Sequence, residues 1–207
     1  MTSIHSIPEA LARLAELPCA TIYEAAGKLG DVSPAIRPML DDIRMAGPAF
    51  TLKTMPGDNL AVFRAIDAAP AGSVLVIDAG GTDRVTIWGG SSTVAAQAKG
   101  LKGVVTNAAV RDIAEIRESR FPVYAPGTSV RGTSKAHAGW MNQTIAIGDA
   151  VVRPGDFVFG DDDGLIVVPA ERMIEVAIAA IEQRSTELSK EARLRAGESI
   201  REVMGFK

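Results

Sequence analysis

Cysteine and histidine are scarce in this 207-residue sequence, which contains one cysteine, Cys19, and two histidines, His5 and His137. A single cysteine excludes an intramolecular disulfide framework and is typical of proteins from a reducing compartment. Structural zinc sites usually need four cysteine or histidine ligands, so such a site is also disfavoured. Any catalysis by this chain would therefore depend on carboxylates, arginine and backbone amides.

A strong charge excess and a long apolar run are also missing. The net charge is -3, whereas nucleic-acid-binding proteins normally present a concentrated basic face. No apolar run approaches the length that crosses a bilayer, and the N-terminus lacks the basic and apolar regions of a signal peptide. We therefore expect a soluble, cytoplasmic protein that binds neither nucleic acid nor a membrane.

The middle of the chain alternates short apolar runs with helix signals. The runs at 74–77 and 103–106 are typical of strands that are buried on both faces. Between them, an alanine-rich helix is predicted over 91–100, where a serine pair begins it and a glycine ends it. Strand, helix and strand joined by right-handed crossovers form a parallel sheet, so this section predicts an α/β fold.

The second half of the chain has a different pattern. Short strands separated by proline-, glycine- and aspartate-rich turns are predicted at 122–124, 144–147, 157–159 and 165–168. A long helix is predicted to begin near Ala170. No linker or internal repeat interrupts the sequence, so we expect a single domain over residues 1–207, with a core at about 20–185 and a charged tail at 190–207.

Two segments are candidates for chemistry, and the first is the glycine-rich entry to the predicted helix. It consists of Gly89, Gly90, Ser91 and Ser92. Free backbone N–H groups and the positive end of the helix dipole bind a carboxylate or phosphate there without a cationic side chain. The spacing matches neither the phosphate-binding loop nor the dinucleotide fingerprint. The segment therefore predicts a small-anion site.

The second segment is Arg111-Asp112, with Glu115 one helical turn later, just after the predicted strand at 103–106. In open α/β sheets, ligands usually bind outside the carboxyl ends of the strands. Arginine offers a planar fork for a carboxylate or an enolate oxygen, and aspartate is a hard oxygen ligand for Mg2+ or Mn2+. Both segments together favour a small 2-oxo acid whose keto oxygen is polarised by a metal.

The same spacing also has a purely structural interpretation. Asp112-x-x-Glu115 is a capping box, in which an N-cap aspartate and a glutamate three residues later bond each other's backbone N–H groups. Glycine pairs before helices are also common packing devices. The spacing by itself leaves both interpretations open.

At these residues the sequence resembles the family that contains regulator of ribonuclease activity A and the class II 4-hydroxy-4-methyl-2-oxoglutarate aldolases. The resemblance runs from about Thr21 to Glu171 and depends on an ordered set of short motifs. These motifs are Ala46-Gly47-Pro48-Ala49, Gly57-Asp58-Asn59, the 74–78 strand, Lys99-Gly100-x-x-Gly103, Val110-Arg111-Asp112, Phe121-Pro122-Val123, Pro154-Gly155-Asp156 and Asp162-Asp163-Gly164. The resemblance implies a three-layer, swivelling-type β/β/α domain with a mostly parallel central sheet, assembled as trimers or hexamers with sites between subunits.

The resemblance also implies roles for individual residues. Arg111 would bind the pyruvyl group and stabilise its enolate oxygen, while Asp112 would hold Mg2+ or Mn2+ directly or through water. The backbone of residues 89–92 would bind the substrate carboxylate. Glutamates from a neighbouring subunit complete the aldolase sites, and Glu24 and Glu187 are the candidates for them in this sequence.

Position 90 is where the chain departs from the aldolase pattern. Members with clear aldolase activity carry an aspartate there, whereas Gly90 followed by Glu115 resembles the regulator-type members. That aspartate would help to orient the water that shuttles protons. Glu115 is then either a substitute carboxylate beside the metal or a simple helix cap.

Three functions follow from these observations. The first is a metal-dependent carbon–carbon lyase that releases pyruvate from a 4-hydroxy-2-oxo dicarboxylic acid or decarboxylates oxaloacetate, since both reactions pass through the same enolate. The second is a non-catalytic regulator that binds a ribonuclease. The third, a Schiff-base aldolase, would need a buried lysine, for which the candidates are Lys53, Lys99 and Lys102.

Overall fold

The computed structural model describes residues 4–206, so residues 1–3 and 207 lie outside the described part of the chain. Its helices are α1 (Ile7–Leu14), α2 (Cys19–Ala25), α3 (Leu60–Ala68), α4 (Gly90–Ala98), α5 (Ile113–Ser119), α6 (Met173–Arg195, after a 3-10 turn at Ala170–Arg172) and α7 (Ile200–Met204). Its strands are β1 (Arg37–Pro38), β2 (Met45–Lys53), β3 (Val74–Asp78), β4 (Thr86–Trp88), β5 (Gly103–Thr106), β6 (Ala109–Val110), β7 (Val123–Ala125), β8 (Trp140–Met141), β9 (Ile145–Ile147), β10 (Ala150–Val152), β11 (Phe157–Asp161) and β12 (Gly164–Val168).

The large sheet is mixed, with the strand order β1-β7-β5-β3-β2-β11-β12. Its four central strands, β7, β5, β3 and β2, run parallel. The flanking pairs β1–β7, β2–β11 and β11–β12 are antiparallel, as is β8 on β2. The predicted α/β class is therefore confirmed, whereas a mostly parallel sheet is found only at the centre. The three-layer swivelling arrangement stays a prediction.

The central strands are explained by continuous apolar runs. Every residue of β5 is buried, as are the first four residues of β3. The connections between the parallel strands carry α3, α4 and α5, as βαβ units require. The two short strands β4 and β6 form a separate parallel pair inside these connections. That pair positions the candidate site.

A second group of helices covers the antiparallel side of the sheet. Helices α1, α2 and α6 enclose a core with strands β11 and β12, in which Phe159, Ile166 and Val176 are almost fully buried. The predicted long helix is confirmed, although it begins at Met173 because residues 170–172 form a 3-10 turn. Within residues 4–206, no helix combines the length and the apolar character needed to span a bilayer.

Candidate functional site

The short ladder between β4 and β6 brings the two candidate segments together. Trp88 pairs with Val110, and the N–H of Arg111 donates to the carbonyl of Trp88 at 3.1 Å. Helix α4 follows β4, while Arg111-Asp112 and then α5 follow β6. Because the strands are parallel, both strand-to-helix turns lie side by side at the carboxyl ends. This is the type of location where α/β proteins bind ligands.

Trp88 supports the turn into α4 from the protein interior. Its side chain is 2% exposed, and its ring stacks on Phe121 with centroids 6.2 Å apart. Its Nε1 donates to Thr93 Oγ1 at 2.8 Å, and the Thr93 hydroxyl donates to the carbonyl of Gly89 at 3.1 Å. The buried indole and its hydrogen-bond chain therefore fix the start of α4.

The capping-box interpretation of Asp112 and Glu115 is wrong. Asp112 precedes α5 in a left-handed conformation, with φ 59°, and its side chain makes no capping hydrogen bond to that helix. Its Oδ2 instead accepts the N–H of Gly90, the first residue of α4, at 3.0 Å. Left-handed backbone is unfavourable for a residue with a Cβ and persists only where surrounding contacts impose it. Asp112 therefore caps the neighbouring helix.

The glycine pair leaves room for two carboxylates. A Cβ at Gly89 would come within 2.5 Å of Asp112 Oδ2, which is closer than Cβ atoms pack. A Cβ at Gly90 would collide with Oε2 of Glu115 and would lie 3.5 Å from the Cβ of Asp112. The Glu115 carboxylate therefore occupies the space that a side chain at position 90 would take.

A cleft of about 160 Å³ opens at this point. Its first wall is the end of β4 with the start of α4, its second wall is the turn after β6, and its third wall is the start of α3 with the loop at 133–135. The lining residues are Asn59, Phe63, Thr86, Ile87, Trp88, Gly89, Ser91, Ser92, Arg111, Asp112, Thr133 and Lys135. Both predicted segments thus reach one cleft, although Gly90 and Glu115 do not line it themselves.

The first turn of α4 offers backbone donors to this cleft. The first N–H groups of a helix have no intrahelical partner, and the N–H of Gly90 is bound by Asp112. The N–H groups of Ser91 and Ser92 make no hydrogen bond within residues 4–206. Beside them is the Arg111 side chain, 48% exposed, with its Nε 3.6 Å from Asp112 Oδ2. These donors suit a small carboxylate.

Sequence reasoning missed the third wall of the cleft. The Nζ of Lys135 lies 5.9 Å from the ring centroid of Phe63, within the range of a cation–π contact. Asn59 Oδ1 is buried and has no hydrogen-bond partner in the described part of the chain. No local pattern identifies Lys135, because a contact between residues 76 positions apart brings it here. Asn59 was detectable only through the Gly57-Asp58-Asn59 motif.

That contact is made by Asp58, whose side chain is 1% exposed. Its Oδ2 accepts the Ser134 hydroxyl at 2.7 Å and the Ala136 N–H at 2.6 Å, and its Oδ1 accepts the Leu60 N–H at 3.1 Å. Burial alone would raise the pKa of this carboxyl. The hydrogen bonds, led by that from Ser134, outweigh burial and lower the pKa to about 2.

This shift predicts how Asp58 affects stability as the pH changes. A carboxyl whose pKa is lower in the folded state stabilises above its ordinary pKa of 3.8, and this stabilisation disappears as the pH falls towards 2. The difference in unfolding free energy between the parent and Asp58→Asn should therefore be constant above roughly pH 5 and decrease below it. Urea denaturation of both proteins from pH 7 to pH 2 measures this difference. A difference that grows on acidification would contradict the assignment.

The two glutamates expected from a neighbouring subunit lie on the helices over the antiparallel strands. Glu24 of α2 makes an exposed ion pair with Lys28, at 3.5 Å. Glu187 of α6 accepts the Thr21 hydroxyl at 2.9 Å, and although burial opposes it, this bond and those from its α6 neighbours lower the pKa of Glu187. Neither residue lines the cleft of its own chain. Their role at another subunit's site stays a prediction.

The candidate Schiff-base lysines are not in a suitable environment. Lys53, Lys99 and Lys102 are all exposed, and Lys99 makes an ion pair with Asp67 at 3.4 Å. None of the three lines the cleft. Because a Schiff-base lysine needs a desolvated pocket or a neighbouring cation, the structure gives no support to that mechanism.

The acidic residues beside Gly90 fit a hard divalent cation better than a softer one. Residues 4–206 contain no group of three or more histidine, cysteine, aspartate or glutamate side chains arranged to hold a metal. Mg2+ often takes only one or two protein carboxylates and keeps several waters. Asp112 at the cleft and Glu115 beside Gly90 are the candidates for such a pair, in which water and a substrate oxygen would complete the coordination.

Comparison with known proteins defines the class to which this fold and cleft belong. The RraA-like family model, described as Aldolase/RraA, matches residues 19–167. The chain therefore belongs to the RraA-like family.

Among its relatives is a Halalkalibacterium halodurans protein named "Putative 4-hydroxy-4-methyl-2-oxoglutarate aldolase", 35% identical over 153 residues that cover 74% of this chain and 73% of the relative. An uncharacterized protein from Pseudomonas syringae is similar in structure over 99% of this chain and 100% of its own, with a TM-score of 0.82 and 26% identity. The RNA-processing inhibitor RraA from Thermus thermophilis matches 74% of this chain and 93% of its own, with a TM-score of 0.69 and 28% identity.

Proposed function

We propose that the protein is a carbon–carbon lyase, dependent on Mg2+ or Mn2+, that releases pyruvate. Its substrate would be a 4-hydroxy-2-oxo dicarboxylic acid, and oxaloacetate would be decarboxylated at the same site. One observation carries the proposal: the Glu115 carboxylate fills the side-chain space of Gly90, next to Asp112 and Arg111. Relatives named as aldolases support the same reaction class.

The cleft suits a substrate with a carboxylate at each end. The N–H groups of Ser91 and Ser92, at the positive end of α4, bind the carboxylate next to the keto group. Arg111 faces the keto oxygen with its planar fork. Lys135 lines the same cleft and adds positive charge, and the second carboxylate would lie beside it.

The reaction needs a group that stabilises the electron pair of the broken carbon–carbon bond. When the C4 hydroxyl loses its proton, the C3–C4 bond breaks, C4 becomes the carbonyl of a second 2-oxo acid, and the electron pair forms the pyruvate enolate. Arg111 stabilises the developing negative charge on the enolate oxygen. A bound metal would polarise that same oxygen as a Lewis acid. Protonation at C3 then gives pyruvate; decarboxylation differs only in that CO₂ leaves.

Glu115 takes the role that an aspartate at position 90 has in the resembled aldolases. Its Oε2 lies beside Gly90 and Asp112, where it can hold a water molecule or accept a proton. Because Gly90 has no side chain, Glu115 reaches this space from the first turn of α5. This geometry supports lyase activity in a chain that has glycine at position 90.

We also propose that the site is completed by a neighbouring copy of the chain, in a trimer or hexamer. The side chains of Arg111 and Asp112 are 48% and 37% exposed, whereas enolate chemistry benefits from a site that excludes water. Glu24 and Glu187 are the candidate contributions of the neighbour.

The proposal is tested by a lactate-dehydrogenase-coupled pyruvate assay on 4-hydroxy-4-methyl-2-oxoglutarate and on oxaloacetate. We expect pyruvate release that requires added Mg2+ or Mn2+ and stops with EDTA, because two carboxylates without a metal leave the keto oxygen polarised by Arg111 alone. The spontaneous rate with metal and no protein is the control. No release above that rate, on either substrate, would refute the lyase.

Regulation of a ribonuclease is the second candidate, favoured by the structural likeness to the RNA-processing inhibitor RraA. The net charge of -3 is compatible with contact to a basic region of such a partner. Capture of a ribonuclease from lysate, together with no turnover of either 2-oxo acid, would decide for this function.

A further inference from the structure

The segment that carries Lys135 has little structure of its own. Between β7 and β8, residues 126–139 contain no helix or strand and make only isolated bridges, at Thr128 and Ser134. The carbonyl of Arg131 accepts hydrogen bonds from Thr86. Beyond that point, the segment is attached to the body of the protein chiefly through Gly57, Asp58 and Asn59.

This attachment is a small network centred on Asp58. Its Oδ2 bonds the residues on both sides of Lys135, namely the Ser134 hydroxyl and the Ala136 N–H. The Ser134 N–H donates to the carbonyl of Gly57 at 2.7 Å, and the Asn59 N–H donates to the carbonyl of Ser134 at 3.1 Å. Together these bonds fix the residues immediately before and after Lys135.

The network also determines where the segment lies relative to the reacting groups. A Cβ at Gly132 would be 3.8 Å from Nη1 of Arg111, so the segment passes directly beside that guanidinium. Through Oδ1, Asp58 also accepts the N–H of Leu60 at the start of α3. Since Asn59 and Phe63 belong to this part of the chain, one carboxylate joins both halves of the third wall.

We infer that Asp58 is a positioning residue, whose buried carboxylate holds the 132–137 segment so that Lys135 faces the α4 N-terminus across the cleft. This rests on the proposed function for the identity of the ligand, although the order of the segment does not depend on it. Asp58 does not line the cleft, so it acts on the ligand only through the residues that it positions, and among these Lys135 carries the charge.

The test compares Asp58→Asn with a matched control, Asp156→Asn. Asp156 is also buried, at 5% exposure, and also accepts two backbone N–H groups, from Arg153 and Ala170, but it lies away from the cleft. In Asp58→Asn, an amide NH₂ replaces one of the oxygens that accept N–H and O–H donors. Ser134→Ala is a milder variant that removes one of these bonds and keeps the charge, in case Asp58→Asn does not fold.

Hydrogen exchange of the ligand-free protein is measured first. In Asp58→Asn, amides in peptides from residues 128–139 should exchange about tenfold faster than in the parent. Ser134→Ala should show a smaller increase, and Asp156→Asn should exchange like the parent. If exchange in this segment is unchanged in both Asp58→Asn and Ser134→Ala, the inference is overturned. This readout needs no substrate, so it separates failure of the inference from failure of the proposed function.

Binding of 2-oxoglutarate, which has the 2-oxo acid group and a second carboxylate but no 4-hydroxyl group that could lose a proton, is then measured by calorimetry with Mg2+ present. Asp58→Asn should weaken the affinity about tenfold, as expected for one lost charge-assisted contact, whereas Asp156→Asn should not. In a Lys135→Met background, Asp58→Asn should add less than about twofold. If the losses of affinity caused by the two substitutions multiply in the double variant, Asp58 does not act through Lys135. A parent that binds no 2-oxoglutarate would refute the proposed function, and the exchange result would still decide the role of Asp58.

Discussion

Replacing Arg111 by methionine is expected to lower kcat for pyruvate release by about 10²- to 10³-fold, the loss typical when a donor to a developing oxyanion is removed. The guanidinium lies beside Asp112 and the α4 N-terminus, where the enolate oxygen would form. Methionine keeps an unbranched apolar chain about as long as the methylene part of arginine, and it removes both the charge and the hydrogen bonds. The coupled pyruvate assay at saturating Mg2+ measures the change.

Stability should be almost unaffected by this substitution. The side chain of Arg111 is 48% exposed and its ion pair with Asp112 is 3.6 Å long, and exposed ion pairs contribute at most about 1 kcal/mol. Arg131→Met is the matched control, because Arg131 is an exposed arginine of the nearby loop that does not line the cleft. Full activity in Arg111→Met, or an equal loss in Arg131→Met, would contradict the assigned role.

Moving the carboxylate from position 115 to position 90 is expected to recover part of the activity that is lost when the carboxylate is removed. Glu115→Ala should lower kcat by roughly 100-fold, as for loss of a general acid–base group. Gly90→Asp alone should also be impaired, since its side chain would collide with the Glu115 carboxylate and place like charges together. In the Gly90→Asp, Glu115→Ala double variant that space is free, and at least tenfold of the loss should be recovered, to about a tenth of the parent rate.

Each variant is assayed for pyruvate release at equal protein and Mn2+ concentrations. Glu118→Ala serves as the control, because Glu118 is an exposed glutamate of the same helix that is not among the nearest neighbours of a Cβ at Gly90. A double variant no more active than Glu115→Ala would show that the two positions are not interchangeable. Equal activity of Glu115→Ala and the parent would remove Glu115 from the reaction.

The parallel centre of the fold could be predicted from sequence because its signals are local. The apolar runs of β3 and β5 and the alanine-rich α4 between them are confirmed. The longest central strand, β2, has no such signal, because Gly47 and Pro48 interrupt it. Gly47 is required where β2 passes the neighbouring backbone, since a Cβ there would lie 2.5 Å from the carbonyl oxygen of Gly72. Tertiary packing therefore requires residues in β2 that weaken the strand signal in the sequence.

The candidate site divides in the same way. The two strand-to-helix turns, with Gly89 to Ser92 and Arg111-Asp112, carry local signals, and the structure brings them together through the β4–β6 ladder. Of the two interpretations of Asp112-x-x-Glu115, the capping box is wrong, because Asp112 has a left-handed backbone and its carboxylate accepts the N–H of Gly90 in α4. Lys135 could not be predicted, since a buried contact across 76 positions places it.

A crystal structure with pyruvate and Mn2+ tests the central claim most directly, because anomalous scattering locates the metal independently of the ligand. We expect Mn2+ beside the carboxylates of Asp112 and Glu115, the pyruvate carboxylate on the N–H groups of Ser91 and Ser92, and the keto oxygen facing Arg111. Pyruvate and Mn2+ bound elsewhere, or an empty cleft at millimolar concentrations of both, would contradict the account.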